Sequence, residues 1–177
     1  RKKKVLENPF VYQGYENPDY FCDRTEETEN ILSALRNGRN ITLISPRKIG
    51  KTGLINHAFY CIKEQEFDVI CIYIDIFSTN TLQDFVEMIS KAVIEDALSR
   101  EKSFMTKVLD FFKGLRPTIT PDLLTGMPTV SVSVVPVQAE YTLKSIFTHL
   151  ESLNKRVYLA IDEFQQITEY PEKGTEA

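Results

Sequence analysis

The sequence predicts an α/β fold in three layers, with helices covering both faces of a mainly parallel β-sheet. Apolar runs of strand length at 41–44, 68–77 and 157–161 alternate with segments whose apolar residues recur at helical spacing. Uninterrupted apolar runs are typical of strands that are buried on both faces. Because crossovers between parallel strands are right-handed, the connecting helices divide between two outer layers.

The composition is that of a globular chain with one core. Of its 177 residues, 42% are hydrophobic and 26% are charged, and the net charge is −4. An acidic balance argues against a surface built mainly for nucleic acid. No apolar run has membrane-spanning length, and nothing resembles a signal peptide. The three cysteines form no C-x-x-C pair, which is typical of a reduced, cytoplasmic protein.

Residues 1–24 are predicted to form an extended arm, and 25–177 the globular domain. The arm is rich in proline, asparagine and aromatic residues and has no regular periodicity. Its rings either cover apolar surface or line part of a base pocket. The first helix follows, capped by Thr25 or Asp23, with two glutamates in its first turn.

Residues 40–59 predict a strand, a turn and a helix in immediate succession. The strand is the apolar run 41–44, the turn is 45–50, and the helix runs over Gly53–Lys63. This is the order of a phosphate-binding loop, which directs backbone N–H groups and a helix N-terminus at a polyphosphate. The alternative is an exposed turn that carries a basic residue.

Within this loop, Lys51 is expected to contact the β- and γ-phosphates and the Thr52 hydroxyl to ligate Mg²⁺. The candidate nucleotide-binding residues are Ser45, Pro46, Arg47, Ile49, Gly50, Lys51, Thr52 and Gly53. The pattern G-x-x-x-x-G-K-[ST] is incomplete, because Ser45 stands at the first glycine. A serine can end a strand at negative φ, so we expect a working loop with a slightly altered approach to the phosphate.

The middle of the chain is predicted to hold a second strand, several helices and an insertion. Asp75 lies near the end of the strand Asp68–Phe77, where it either reaches a metal's water shell or bonds to the following loop. The helix Thr81–Leu98 is capped by Thr81. The insertion covers about 101–137 and contains a helix, four prolines and an alternating V-S-V-S-V-V stretch that predicts a short hairpin. A further helix spans Tyr141–Leu153.

The strand at 157–161 ends in two carboxylates. Asp162 is placed to hold Mg²⁺, directly or through water, and Glu163 to orient and polarise an attacking water. The candidate catalytic residues are therefore Glu163 and Lys51, and the candidate metal ligands are Thr52 and Asp162. The alternative is structural, with Asp162 capping the next helix and Glu163 as a first-turn acid.

With these motifs, the sequence resembles the AAA-family ATPases of the archaeal-type group, within the broader STAND-like P-loop NTPases of bacteria and archaea. The resemblance rests on F-C-D-R-T-E-E at 21–27, S-P-R-K-I-G-K-T-G-L-I at 45–55 and V-Y-L-A-I-D-E-F-Q-Q-I at 157–167. Arg24 and Glu27 match the charged positions of the first box. The resemblance implies a sheet ordered 5-1-4-3-2, with Glu163 as the catalytic acidic residue.

The resemblance also implies a longer protein, truncated here after the strand that ends in Asp162. In the family, a fourth strand with a sensor residue, an arginine finger and a helical lid follow that point. We therefore expect these 177 residues alone to bind nucleotide poorly and to hydrolyse it negligibly.

The implied function is Mg-ATP binding and hydrolysis by a conformational switch or motor module of a larger protein. The alternative is a nucleotide-binding or degenerate interaction module without significant turnover. A GTPase is disfavoured, because the residues at 154–157 lack the aspartate of a base-reading N-K-x-D motif. The expected partners are ATP and either other domains of the parent protein or further copies of it.

Overall fold

The computed structural model describes residues 15, 18, 21, 23–46, 49–66, 68–112, 115, 117–121 and 128–171. They form a mixed α/β fold that contains a small parallel sheet, as the sequence predicts. The chain divides into two compact units, residues 1–71 and 72–177. Within the described ranges, no helix combines the length and apolar character that a membrane span requires.

The first unit is built on helices α1 (Thr25–Arg36) and α2 (Lys51–Gln65), which pack against each other. Their buried apolar side chains are Ile31 and Leu32 of α1 with Leu54, Ala58, Phe59 and Ile62 of α2. Fully burying one large side chain of this kind stabilises the fold by about 1.5–3 kcal/mol. The predicted cap of α1 is wrong, because Arg24 occupies the N-cap and no side chain bonds there.

The predicted buried strand at 41–44 is not formed. Residues 41–46 are irregular and join neither of the two sheets in the described part of the chain. Ile44 is 91% exposed and Ile41 is 38% exposed. A strand needs a neighbour to satisfy its backbone N–H and C=O groups, and the described residues of this unit supply none beside 41–46.

The second unit holds the remaining elements, and the boundary between the units falls within its first strand. In chain order they are β1 (Ile70–Asp75), α3 (Leu82–Leu98), α4 (Lys102–Phe112), β2 (Thr118–Pro121), β3 (Pro128–Ser131), α5 (Ala139–Ser152) and β4 (Val157–Asp162). Short 3₁₀ helices lie at Pro136–Gln138 and Phe164–Glu169. The helix predicted after Glu163 is therefore a 3₁₀ helix.

Strands β1 and β4 are hydrogen-bonded neighbours. In the implied order 5-1-4-3-2, β1 and β4 correspond to strands 2 and 3, which lie side by side. This part of the predicted topology is therefore confirmed. The expected burial holds for β1, in which four of the six residues are buried apolar side chains. In β4 only Tyr158 is buried and the other residues are half-buried, so the prediction of full burial is wrong for β4.

Helix α3 begins with the predicted cap. The Thr81 hydroxyl accepts a hydrogen bond from the Asp84 N–H at 3.1 Å, and the Asp84 carboxylate accepts one from the Thr81 N–H at 3.1 Å. This reciprocal capping box satisfies two N–H groups that the helix itself leaves unpaired. Helix α3 packs against α4, α5 and β3 and is the central helix of this unit.

The predicted short hairpin in the insertion is confirmed. Strands β2 and β3 pair antiparallel, with Ile119 opposite Val130 and Thr120 opposite Thr129. The same insertion contains α4, where Val108 and Phe112 are fully buried. The boundary at residue 24 and the bounds 101–137 stay predictions, and most of the arm lies outside the described residues.

Candidate functional site

The loop enters helix α2 through a left-handed glycine. Gly50 is the N-cap of α2, with φ 76° and ψ 32°. A Cβ at this position would meet nothing closer than Arg24 Nη1 at 3.9 Å. The backbone angle, rather than a lack of space, therefore favours glycine here. The turn leads directly into a helix N-terminus, where the helix dipole and the first N–H groups attract an anion.

Lys51, the first residue of α2, turns back over this loop. Its Nζ donates a hydrogen bond to the Ser45 carbonyl oxygen at 3.2 Å, and the side chain is half-buried. The contact joins residues at the two ends of the loop, Ser45 and Lys51. A phosphate oxygen is a stronger acceptor than a neutral carbonyl, because its hydrogen bond with an ammonium is charge-assisted on both sides.

Ser45 occupies the position of the first glycine without backbone strain. Among the described residues, the non-glycine residues with positive φ are Asp23, Asp68, Asn154 and Glu163. Ser45 is not one of these residues, so its backbone does not require glycine. Of the other predicted loop residues, Pro46 and Ile49 are exposed, whereas Arg47 lies outside the described residues.

Arg24 lies against the other end of the loop. Its Nη1 donates to the Ile49 carbonyl at 3.0 Å and approaches the Gly50 carbonyl at 3.4 Å. Its Nε forms an ion pair with Glu27 Oε1 at 3.4 Å. The guanidinium thus holds the segment that precedes α2. Residue spacing alone did not predict this contact, and the only signal was the resemblance of the box at 21–27.

A cavity of about 310 Å³ lies beside the loop in the first unit. Arg24, Glu27, Ser45 and Lys51 contribute polar and charged groups to its wall. The rest of the wall is largely apolar and comes from α1, α2 and the segment 41–44. An apolar recess with a few convergent polar groups is the usual form of a small-molecule site.

Two residues of the arm, Tyr15 and Phe21, pack against the ring of His57 on α2. Phe21 stacks on the His57 ring at 4.0 Å between centroids, and the Tyr15 hydroxyl lies 3.0 Å from His57 Nδ1. Burial raises the pKa of Tyr15 to about 12 and lowers the pKa of His57. Both shifts favour neutral side chains at neutral pH. The contacts agree with the packing role expected for the arm, and the base-pocket alternative stays a prediction.

In the second unit, the two carboxylates lie where the sheet ends. Asp162 is the last residue of β4, and Glu163 follows in the left-handed region with φ 55°. Asp162 Oδ2 accepts a hydrogen bond from the Tyr73 hydroxyl at 2.9 Å, and Oδ1 accepts one from the Glu163 N–H at 3.0 Å. Glu163 Oε2 accepts a hydrogen bond from the Gln165 side-chain amide.

The structural alternative is wrong for Asp162 and correct for Asp75. Glu163 is the N-cap of the following 3₁₀ helix, with no side-chain capping bond, so Asp162 does not cap that helix as the alternative proposed. Asp75 does take the structural role, because its Oδ1 accepts a hydrogen bond from the Phe77 N–H at 2.9 Å. This is the loop-bonding alternative for Asp75.

The comparison with protein families covers the positions of both the loop residues and the two carboxylates. A family model of an ATPase domain found predominantly in Archaea matches residues 21–176. The chain belongs to this archaeal-type ATPase family. The match contains every predicted site residue, the box at 21–27 and both carboxylates. No curated protein and no solved structure matches the chain.

An ATPase domain implies the use of nucleotide, with which Mg²⁺ is the usual metal. In the described part of the chain, no three histidine, cysteine or acidic side chains are grouped to hold a metal. Mg²⁺ at nucleotide sites takes most of its ligands from phosphate and water and needs only one or two protein oxygens. Thr52 and Asp162, the predicted metal ligands, have side-chain oxygens of the kind that Mg²⁺ takes from protein.

Replacing Gly50 should destabilise the ATPase domain through its backbone angle. We expect Gly50→Ala to lower the free energy of unfolding by about 1 kcal/mol, because a side chain in the left-handed region is strained. The matched control is Gly53→Ala inside α2, where a Cβ would approach Phe21 only to 4.0 Å. That change should stabilise the helix by about 0.5–1 kcal/mol. Equal urea denaturation midpoints for the two variants would contradict this account.

Proposed function

We propose that this ATPase domain binds Mg-ATP in the loop of residues 45–53 and hydrolyses it as a switch or motor module of a larger protein. One observation carries the proposal: the Lys51 ammonium lies over a loop that a left-handed glycine joins to a helix N-terminus. Membership of an ATPase family supports the same function. The predicted site residues themselves stay a proposal.

In this proposal, the first unit binds the phosphates. The N-terminus of α2 and the Lys51 ammonium face the β- and γ-phosphoryl oxygens, where negative charge increases as the γ-phosphoryl group leaves. Lys51 gives up its bond to the Ser45 carbonyl and donates to phosphate instead. Arg24 holds the Ile49 and Gly50 carbonyls, which fixes the end of the loop that precedes α2. Most of the catalytic effect is thus positioning and charge neutralisation.

The carboxylates of the second unit would serve the metal and the water. Thr52 and Asp162 would hold Mg²⁺, which neutralises phosphate charge when it is bound. Glu163 would orient the attacking water and accept its proton as the oxygen–phosphorus bond forms. Its backbone is in the left-handed region, and the Gln165 side-chain amide restrains the carboxylate.

The proposal also covers the type of fold and the location of the protein. We propose a three-layer P-loop NTPase fold of the AAA or STAND-like type, located in the cytoplasm. Besides ATP, its partners would be other domains of the parent protein or further copies of it.

A second candidate function is a nucleotide-binding interaction module without significant turnover. The observation that favours it is Ser45, which departs from the loop pattern at the first glycine. A side chain at that position changes how closely the backbone approaches a phosphate. This module would use nucleotide as a structural ligand and would keep the loop without the chemistry.

Phosphate release from ATP tests the proposal and separates the two functions. We expect Mg²⁺-dependent release by the full-length protein and negligible release by the 177-residue chain alone. A full-length protein that binds ATP without releasing phosphate would support the interaction module. Robust hydrolysis by the 177 residues would contradict the expectation that they are inactive alone.

A further inference from the structure

Tyr73 joins the two neighbouring strands at the acidic end of the sheet. It lies on β1, half-buried, between the buried residues Ile72 and Ile74. Its hydroxyl donates a hydrogen bond to Asp162 Oδ2 at 2.9 Å, although 89 positions separate the two residues in sequence. The Glu163 N–H donates to the other oxygen, Oδ1, at 3.0 Å. Each oxygen of the candidate metal carboxylate therefore has a donor from the protein.

We propose that Tyr73 is a positioning residue that sets the orientation of the Asp162 carboxylate toward Mg²⁺. This inference rests on the proposed function. The last torsion of an aspartate side chain is broad, so the carboxylate plane is poorly defined by its own chain. A donor on each oxygen defines that plane. A carboxylate offers about four lone-pair sites, so an oxygen that accepts one hydrogen bond can still bind a cation or its water.

Both partners of the hydrogen bond are on well-anchored backbone. The neighbours of Tyr73 in β1 are among the most deeply buried residues of the chain, with Ile72 2% and Ile74 3% exposed. The Ile76 N–H donates to the Asp162 carbonyl at 3.2 Å, which ties the ends of β1 and β4 together. A side chain placed by rigid elements can hold a ligand within the narrow tolerance that a metal site requires.

Four other side chains near the ends of β1 and β4 make different hydrogen bonds. Asp75 lies closer to the end of β1, but its Oδ1 accepts the Phe77 N–H, and its like charge would repel Asp162. Thr79 and Tyr170 bond to each other in a buried pair, and Gln166 donates to the Thr79 carbonyl at 3.1 Å. Those contacts fix the 3₁₀ helix that follows Glu163. Tyr73, by contrast, bonds through its hydroxyl to Asp162 itself.

The test is Tyr73→Phe in the full-length protein, with the Mg²⁺ dependence of nucleotide binding as its readout. The change removes one oxygen and preserves the ring. Titrating Mg²⁺ into protein with a non-hydrolysable ATP analogue gives the half-saturating Mg²⁺ concentration. We expect it to rise by about tenfold or more, the usual effect of losing a partner of a metal ligand. Analogue affinity in EDTA and the thermal midpoint should stay close to the native values.

The matched control is Tyr141→Phe, the same chemical change on α5, where the side chain is 76% exposed. It should leave the Mg²⁺ midpoint unchanged. The inference is overturned if Tyr73→Phe matches this control, or if it lowers the thermal midpoint and the Mg²⁺-free affinity without moving the Mg²⁺ midpoint. If the native protein binds no ATP at any Mg²⁺ concentration, the proposed function itself fails, and this inference fails with it.

Discussion

Lys51→Ala should lower the affinity for ATP by about 10- to 100-fold, since a hydrogen bond between charged groups contributes about 1.5–3 kcal/mol. The ammonium lies over the loop and bonds to the Ser45 carbonyl at 3.2 Å. Alanine removes the positive charge but keeps a good helix former at the first position of α2. The loss should therefore appear in binding rather than in folding. Equilibrium titration with a fluorescent ATP analogue measures it directly.

Lys63→Ala provides the control for this change. Lys63 is in the last turn of the same helix, and its side chain is exposed. The variant loses an equal charge and should bind the analogue within about twofold of the native protein, because an exposed charge is screened over such distances. If both alanine variants bind like the native protein, Lys51 does not contact phosphate and the loop is an exposed turn.

Glu163→Gln should bind ATP with close to native affinity but lose turnover by about 10²- to 10⁴-fold, the usual contribution of a general base. Glutamine keeps the size of the side chain and can still bond with Gln165, but it cannot accept a proton from water. Binding and phosphate release should be measured on the same sample, so that the two effects are separated.

Glu151→Gln is the control for Glu163→Gln, because Glu151 is an exposed residue near the end of α5. It removes the same charge and should leave the turnover rate unchanged. If Glu163→Gln turns over ATP at a rate close to that of the control, the catalytic assignment is wrong. In that case Glu163 is only the residue at which β4 passes into the 3₁₀ helix.

Features that depend on neighbouring residues could be predicted from the sequence. The cap of α3 depends on Thr81 and Asp84, three positions apart, and the structure has both hydrogen bonds. The alternation at 130–135 also predicts a hairpin, although only residues 130–131 of that stretch lie in β3. The segment at 41–44 has an equally clear apolar pattern, yet it forms no strand, because a strand also needs a partner that its own sequence does not specify.

The candidate site also combines features that depend on neighbouring residues with contacts between distant ones. The loop pattern predicts a helix from Gly53, and α2 begins two residues earlier, at Lys51, directly after the left-handed Gly50. The contact of Arg24 with the Ile49 carbonyl spans 25 positions, and the bond from Tyr73 to Asp162 spans 89. No spacing rule links residues so far apart. A tyrosine within an apolar strand is usually a core residue, so only the pairing of β1 with β4 reveals its partner.

The most direct test of the central claim is a calorimetric titration of the native full-length protein with ATP in the presence of Mg²⁺. The claim is that the loop of residues 45–53 is a working nucleotide site. It predicts saturable binding that weakens when Mg²⁺ is removed. No heat of binding at millimolar ATP would contradict the claim. The loop would then be a basic turn on an ATPase-type fold, and the chain would best be studied as an interaction domain.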